Sequence, residues 1–232
     1  MLGNNYTSSY IRADYLRASF GVLKMARMVS GAIACAMLLM IFAATMRPTS
    51  AWALTRPIDE VRQVVNQSLP VLRDKRTPVI QRRRQLRTLI EHHFDFSDMA
   101  RIALGYHWRQ LSAAQRAQFT ELFTAFIESA YLGKIQDYSG QDVAVLGENS
   151  EGEGFSRVRS EITRQGKEPI KVDYLLREIN GNWKIYDVTV DAISIIANYR
   201  NQFNRVINDQ GFDKLMSDMR AKQQQLQASL GS

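Results

Sequence analysis

Apolar residues recur at helical spacing between residues 57 and 137. The first stripe consists of Ile58, Val61, Val64, Val65 and Leu69. A second stripe consists of Phe119, Leu122, Phe123, Phe126 and Ala130. Residues three and four apart lie on one face of a helix, so each stripe predicts a helix with one apolar face. The second helix is expected to run from Ala113 to about Asp137.

Capping residues divide this region into four predicted helices. A threonine or serine hydroxyl accepts a hydrogen bond from the unpaired N–H groups of a first turn, and proline fits the first helical position. Thr77 and Pro78 therefore start a second helix that ends near His92. Ser97 starts a short helix that Gly105 ends, and Ser112 starts the long helix.

After Gly140 the pattern changes to short segments rich in valine, isoleucine, tyrosine and tryptophan. Four segments predict strands, namely QDVAVLG, FSRVRSEITR, IKVDYLLREI and WKIYDVTV. Residues 147–154 are expected to form a loop and QGKEP a turn. Asn180 and Gly181 predict a type I′ hairpin, because both central residues of that turn need positive φ. Consecutive hairpins indicate an antiparallel meander of about four strands.

From about Ser194 the chain returns to a helical pattern, which Gly211 divides in two. Helices, then an antiparallel sheet, then helices that pack on that sheet define an α+β fold. On one parity of the strands lie Val143, Val145, Val172, Tyr174, Leu176, Tyr186, Val188 and Val190. Trp183 and Ile185 lie on the other parity. These apolar residues form either an ordinary core or the wall of a ligand cavity, and composition does not separate the two.

The N-terminus has the features of a secretory signal peptide. Lys24 and Arg27 precede an apolar segment at residues 28–46, and Ala51 and Ala53 form an A-x-A site. We expect cleavage after Ala53, although an uncleaved membrane anchor has a similar pattern. The expected organisation is a signal peptide over residues 1–53, one domain over 54–222 and a polar tail over 223–232 that frays. Met25 is an alternative start.

Removal of residues 1–53 changes the charge of the chain. Five basic residues and one acid leave, so the net charge falls from +7 to +3. Nucleic acid is therefore not an expected partner. The basic stretch at residues 73–87 is either a solvated helix face or a contact with anionic lipid headgroups or an acidic partner. Cys35, the only cysteine, lies in the signal peptide, so no disulfide is expected.

Few residues have a pattern suited to catalysis or metal binding. His92 and His93 are adjacent on a predicted helix and point in different directions, and His107 stands alone. No nucleotide-binding or nucleophile motif occurs. Asp173 and Asp187 lie in strands, where an acid pair could carry out acid–base work, but no base partner is visible. We therefore expect no enzyme activity, no metal and no cofactor.

Two long motifs resemble the MlaC family of periplasmic lipid-binding proteins, also called the toluene-tolerance family. The first motif covers residues 94–138, with FDF, MAR, LG, WR and QR as its matching elements. The second, NGNWKIYDVTVDAISIIANYRNQF, matches at Gly181, Trp183, Ser194 and around Tyr199. One departure is Asp191-Ala192, where members usually carry glycine before the apolar residue and serine. The matches extend over nearly the whole chain after residue 53.

The resemblance implies a periplasmic carrier that shuttles phospholipid between an outer-membrane lipoprotein complex and an inner-membrane ABC-type transport complex. It implies that the acyl tails lie in an apolar cavity. Some relatives are associated with hopanoid biosynthesis, so a hopanoid ligand is an alternative. From parity and periodicity we expect the wall to include Phe96, Met99, Leu104, Phe123, Phe126, Ile127, Tyr131, Val143, Val145, Val172, Tyr174, Leu176, Tyr186, Val188, Val190, Ile193, Ile196 and Tyr199.

Two hypotheses from other classes remain open from the sequence. A small enzyme with a cone-shaped α+β fold would use His93, Asp173 and Asp187. A structural adaptor would have a filled core and bind partners through its basic helix. By family motif, Arg101, Trp108 and Arg200 are expected to have buried structural roles or to lie at the mouth of the cavity.

Overall fold

Helices precede and follow the sheet in the chain and form a layer beside it. This computed structural model describes residues 55–132, 138, 140–164 and 166–231. The described residues belong to one structural unit, Leu54–Ser232. The first helices are α1 (Pro57–Arg73), α2 (Val79–His93), α3 (Phe96–Leu104), a short 3-10 helix (Gly105–Gln110) and α4 (Ala113–Leu132). The predicted signal peptide and the predicted end of α4 near Asp137 lie outside the described residues.

The predicted caps are correct at Ser112 and wrong at two other positions. Ser112 Oγ accepts from the Gln115 N–H at 3.2 Å, and Gln115 Oε1 accepts from the Ser112 N–H at 2.9 Å. This reciprocal pair is a capping box. Thr77 instead donates its hydroxyl to Asp74 at 2.6 Å, and α2 begins after Pro78 without a side-chain cap. Asp95, not Ser97, caps α3.

The sheet is an antiparallel meander with the order β1-β2-β3-β4-β5. Its strands are β1 (Val143–Gly152), β2 (Phe155–Arg164), β3 (Lys167–Ile179), β4 (Asn182–Val190) and β5 (Ile193–Ser194). The α+β prediction is confirmed, with one short strand more than expected. The loop predicted at residues 147–154 is wrong. Bulges after Val145 and Ser150 absorb the irregular residues, so β1 stays paired with β2 as far as Gly152.

The turn before β3 is also shorter than predicted. Lys167 to Pro169 belong to β3 and not to a turn. A register irregularity between Ile162 and Arg164 of the partner strand lies beside them, which is where a sheet tolerates proline. The hairpin predicted at Asn180-Gly181 is confirmed, because their φ angles are 52° and 80°.

A bulge in β4 makes the predicted parity wrong. Tyr174 pairs with Val188, but Leu176 pairs with Ile185, so Tyr186 is the extra residue. Beyond a bulge, the side chains of a strand change face. Ile185 and Trp183 therefore share a face with Val188, while Tyr186 lies on the opposite face, where its ring contacts Phe155 at 6.0 Å between centroids.

Asp95 joins the helical layer to the sheet. Its carboxylate accepts from the Asp98 N–H at the start of α3 and from Arg177 of β3 at 2.6 Å and 3.0 Å. Its own N–H donates to Ile185 O of β4 at 2.8 Å. Arg177 also contacts Asp98, at 3.2 Å. One short segment is thereby bonded to a helix and two central strands.

Asp187 performs a similar role at the start of α5 (Ile195–Gln210). Its carboxylate accepts from the Ser194 hydroxyl at 2.5 Å and from the Ile196 N–H at 3.2 Å. Ser194 Oγ accepts from the Ala197 N–H at 2.9 Å, so the predicted start of this helix at Ser194 is confirmed. The Asp187 side chain is thus committed to holding α5 on β4.

Gly211 separates α5 from α6 (Phe212–Gly231), as predicted, and has a φ angle of 88°. The predicted fraying over residues 223–232 differs from the structure, because α6 continues to Gly231. Leu226 packs against the helical core, and this contact stabilises the C-terminal part of α6. Among the described residues, no helix is long and apolar enough to span a membrane.

Two main apolar clusters fill the interior. The helical cluster is made by α3, α4, α5 and α6 and contains the fully buried Leu104, Phe119, Phe123 and Ile196. The sheet cluster packs Ile58, Val61, Val64 and Val65 of α1 on Val158, Leu176 and Ile185. Phe94 contacts both clusters. Helix α1 therefore packs directly on the sheet, whereas α3 and α5 are joined to it through Phe94 and the polar bonds of Asp95 and Asp187.

The departure at Asp191-Ala192 has a measurable cost. Both residues have positive φ, 46° and 66°, although neither is glycine. A residue with a Cβ loses about 1–2 kcal/mol in this conformation. We expect Ala192→Gly to raise the free energy of unfolding by about 0.5–1 kcal/mol, because the relief exceeds the entropy cost of glycine. Chemical denaturation measures it. Ala117→Gly, in the exposed middle of α4, should lower stability by about 1 kcal/mol.

The Asp95 bonds predict a large stability loss on truncation. Asp95→Ala removes a helix cap and leaves Arg177 without its shortest ion pair, so we expect a loss of about 2–4 kcal/mol. Asp59→Ala breaks only an exposed pair with Arg62 and should cost under about 0.5 kcal/mol. Equal losses for the two variants, measured by denaturation in urea, would contradict the role given to Asp95.

Candidate functional site

The sheet face that meets the helices has small side chains in its second strand. Ser156 and Ser160 of β2 are buried and point to this inner face, since they pair with Leu176 and Val172. Their hydroxyls donate to backbone carbonyls of Asn149 and Val172, at 3.1 Å and 2.9 Å. The serines therefore add little bulk and no free polar group.

Burial along this inner face is uneven. At one end, Val158, Leu176 and Ile185 are fully buried beneath α1. Helix α1 runs along β1, since the Ile58 N–H donates to Glu148 at 2.8 Å and Arg73 at the other end contacts Asp142. This helix therefore covers the β1 side of the sheet and seals one end of its inner face.

An apolar strip runs along β3, β4 and β5. It is buried at Val172 and only partly covered at its other residues. We define it by residues that are paired across these strands, namely Val172, Tyr174, Val188, Val190 and Ile193. Tyr174 and Val188 are only half-buried although they lie on interior strands, and Ile193 is 67% exposed. Burial raises the pKa of Tyr174 even though part of its side chain stays accessible, which is typical of a group at the bottom of a recess.

A pair of tyrosines in the helical layer lies near Asp187 of β4. Tyr131 near the end of α4 and Tyr199 of α5 are hydrogen-bonded to each other. Burial raises the pKa of both hydroxyls, and Asp187 of β4 is close enough to raise that of Tyr131 further. Tyr131 is still 44% exposed. The pair thus offers both aromatic surface and hydroxyls at the side of β4 where Asp187 lies.

The predicted wall residues are divided between the clusters. The helical cluster contains Phe96, Met99, Leu104, Phe123, Phe126, Ile127, Ile196 and, at its edge, Tyr199. The sheet cluster includes Val143, Val145, Tyr174, Leu176 and Val188. Val172, Val190 and Ile193 complete the apolar strip. Contact of any of these with a ligand stays a prediction, and Tyr186 lies on the outer face of the sheet.

The motif arginines do not have buried roles. The Arg101 side chain is 53% exposed and forms an ion pair with Asp98 at 2.5 Å. Arg200 is also exposed, and its aliphatic stem lies over Gly105. Trp108 is half-buried and has the Arg116 guanidinium over its ring at 5.6 Å. Of the two roles expected for these residues, burial is therefore wrong for both arginines, and a place at the mouth of a cavity stays a prediction.

The residues considered for catalysis have separate structural partners. His93 is buried, and its Nδ1 lies 2.6 Å from Glu60 of α1. Asp173 contacts Arg157 at 3.3 Å, and Asp187 holds α5. No group of three or more potential metal ligands occurs among the residues that the structure describes. Each of the three candidate side chains has a partner other than the remaining two.

Sequence reasoning missed several residues of the inner face. Val158 is fully buried and pairs with Tyr174, while Ile162 and Ile170 extend the face at its edge. The alternation of serine, valine, serine and isoleucine in β2 was the available signal. The charged residues between them, Arg157, Arg159 and Glu161, are typical of an exposed strand. Trp183 and Ile185 were assigned to the other face because the bulge at Tyr186 has no mark in the sequence.

Glu128 of α4 is buried beside α2. Arg87 contacts its Oε2 at 3.0 Å, and Glu91 of α2 is the other charged group that faces it. Burial raises the pKa of Glu128 to about 7, Arg87 opposes this shift, and the like charge of Glu91 adds to it. A carboxyl group that titrates near neutrality therefore lies three residues before Tyr131.

The chain thus has an α+β fold in which helices pack on an antiparallel meander. A solved phospholipid-binding protein from Ralstonia solanacearum, in complex with a phospholipid, matches with a TM-score of 0.67 and 23% identity. The match covers 74% of this chain and 99% of that chain. The intermembrane phospholipid transport system binding protein MlaC of Haemophilus influenzae is 25% identical over 178 residues, which are 73% of this chain and 83% of that protein.

The MlaC protein family model matches residues 62–221, which is more than half of the chain. The chain therefore belongs to the MlaC family, and the resemblance drawn from its two motifs is confirmed. The matched residues begin in α1 and end in α6. They include the whole sheet and every buried residue of the two apolar clusters except Ile58 and Val61.

The environment of Glu128 predicts a pH-dependent stability. Its pKa in the folded protein, about 7, exceeds its ordinary value of 4.5, so the folded state favours the protonated carboxyl. That contribution is complete below the ordinary value and is lost as the pH rises through 7. We expect Glu128→Gln to exceed the parent protein in free energy of unfolding by about 1–3 kcal/mol above about pH 8. The difference should shrink in acid.

Denaturation at a series of pH values measures this difference. Glu121→Gln is a suitable control, because Glu121 is exposed on the same helix and its removal should leave the pH profile of stability unchanged. A constant difference between the Glu128 variant and the parent protein across the whole pH range would show that Glu128 does not titrate as proposed.

Proposed function

We propose that this protein is a periplasmic carrier that binds a phospholipid by its acyl tails along the apolar strip. In this proposal it moves the lipid between an outer-membrane lipoprotein complex and an inner-membrane ABC-type complex. The observation that carries the proposal is the accessible apolar surface of Tyr174 and Val188, which face the helices on interior strands. The two relatives are both named for phospholipid binding or transport, which supports the choice of ligand.

The energetics of a lipid tail explain why a carrier needs such a surface. Each methylene removed from water contributes about 0.8 kcal/mol. A tail of ~16 carbons therefore costs about 12 kcal/mol to expose, and two tails cost about twice as much. A carrier has to offer comparable apolar burial. Most of the inner sheet face is apolar, and the buried serines of β2 expose no unpaired hydroxyl to a tail.

Release requires two states of the protein that differ in affinity for the lipid, because only a differential interaction shifts a population. The joint between the helical layer and the sheet is suited to this requirement. Phe94 contacts both apolar clusters, while the bonds of Asp95 and Asp187 keep α3 and α5 attached. Cleavage of a bond in the lipid is not needed.

Native mass spectrometry tests the proposal. The protein would be secreted into a periplasm, purified without detergent and weighed, and the lipids would be extracted and identified. We expect a stoichiometric adduct with the mass of a phospholipid. A hopanoid adduct would change the proposed ligand but would leave the proposed role as a lipid carrier unchanged. A ligand-free mass that is unchanged after incubation with liposomes would overturn the proposal.

A substitution in the strip separates a lipid site from a core. Val188→Arg places a charge among the apolar residues that would contact the tails, and the partial exposure of Val188 lets a long side chain reach water. We expect lipid occupancy to fall at least about tenfold, equivalent to ~1.4 kcal/mol, in a protein that still folds. Circular dichroism checks folding.

The matched control is Leu146→Arg, which introduces the same side chain at a residue of β1 that is 56% exposed. This variant should retain its lipid. Normal lipid occupancy in a folded Val188→Arg variant would remove β4 from the binding site.

A further inference from the structure

A strongly basic surface covers the turn between α1 and α2 and the outer side of α2. Residues 73–87 include seven basic residues and one acid, Asp74, while the entire chain has a net charge of +7. We define the basic corner by its accessible members, namely Arg73, Lys75, Arg76, Arg84 and Arg87. The turn also forms a shallow recess lined by Pro70, Arg73, Asp74, Lys75 and Arg76.

Two arginines of the basic corner have little internal compensation. The Arg76 side chain is 99% exposed, and the nearest carboxylate oxygen, of Asp74, is 3.9 Å away. Asp74 already accepts from two backbone N–H groups and the Thr77 hydroxyl. Arg84 is exposed and forms no ion pair within the part of the chain that the structure describes. Both guanidinium groups are available to an external anion.

The start of α2 adds to this positive charge. Its first turn contains no acid, and its N-cap, Pro78, has no side-chain acceptor. The N-terminus of a helix carries a partial positive charge, so the arginines at 82–84 lie near the end of α2 where basic groups are least favourable. Within the protein this arrangement lowers stability. An anion from outside would remove the penalty and bind favourably for the same reason.

An exposed apolar residue lies within the basic corner. Ile80, in the first turn of α2, is 56% exposed. Arg84 follows it by four residues, so the two side chains are neighbours on one face of the helix. Basic groups around an accessible isoleucine match the interface of an anionic bilayer, where phosphates lie beside the upper parts of acyl chains.

We propose that the basic corner docks this protein on the anionic lipid surface of a membrane. The charges are spread over a turn and a helix and surround a single apolar side chain, which suits a diffuse layer of headgroups better than one acidic peptide. The inference goes beyond lipid carriage and does not require that the apolar strip hold a lipid. Docking and loading are therefore separable by experiment.

Co-sedimentation with vesicles tests the proposal. The protein would be secreted into a periplasm, purified, and mixed with vesicles of phosphatidylcholine alone or with added phosphatidylglycerol. We expect binding only to the anionic vesicles, and loss of binding at high salt. Removing two charges with Arg76→Gln and Arg84→Gln should weaken binding about 30-fold, because each basic residue near an anionic surface contributes about a fivefold factor.

Two further variants make the outcome specific. The double variant Arg205→Gln and Arg220→Gln removes the same charge from exposed positions on α5 and α6 and should bind nearly as well as the parent protein. Val188→Arg should still bind anionic vesicles. Equal weakening of vesicle binding by the two double variants would show that only the net charge matters, and this would overturn the proposal. Equal binding to both vesicle types, or binding only to an acidic protein, would also overturn it.

Discussion

The carboxylate of Asp95 is the contact on which the rest of the architecture depends. It caps α3 and pairs with Arg177, while its backbone N–H bonds to β4. Asp187 repeats the arrangement at the start of α5. Because these polar bonds position the helices, the apolar faces of the two layers need not pack tightly along their whole length. The half-buried state of Tyr174 and Val188 is compatible with a stable fold for this reason.

Helices, strands and the hairpin at Asn180 could be predicted because each depends on neighbours in the sequence. The caps were less predictable. Thr77 and Ser97 are suitable residues, but the Asp95 carboxylate, a stronger acceptor, caps α3. Asp74 accepts the Thr77 hydroxyl, which leaves α2 without a side-chain cap. The extension of β1 to Gly152 depends on pairing with β2, which local composition does not reveal.

The apolar residues of the candidate site could be predicted, but which of them form an accessible surface could not. Periodicity identifies Phe123 and Val188 equally well as apolar, yet one is fully buried in the helical cluster and the other keeps accessible surface. The difference arises from which helix lies above each residue, and that is a tertiary property. The bulge at Tyr186 likewise depends on registration against β3. The family motifs still identify the fold, although they do not show which residues lie on each face of the sheet.

One ion pair links the basic corner to the buried side of α4. Arg87, on the outer side of α2, holds the buried Glu128 of α4, and Tyr131 follows it by less than one helical turn. An anion that approaches Arg87 competes with Glu128 for the guanidinium group. Loss of this ion pair favours the protonated form of Glu128, because burial and Glu91 both raise its pKa. The surface charge at Arg87 is therefore coupled to the protonation of a buried carboxyl in α4.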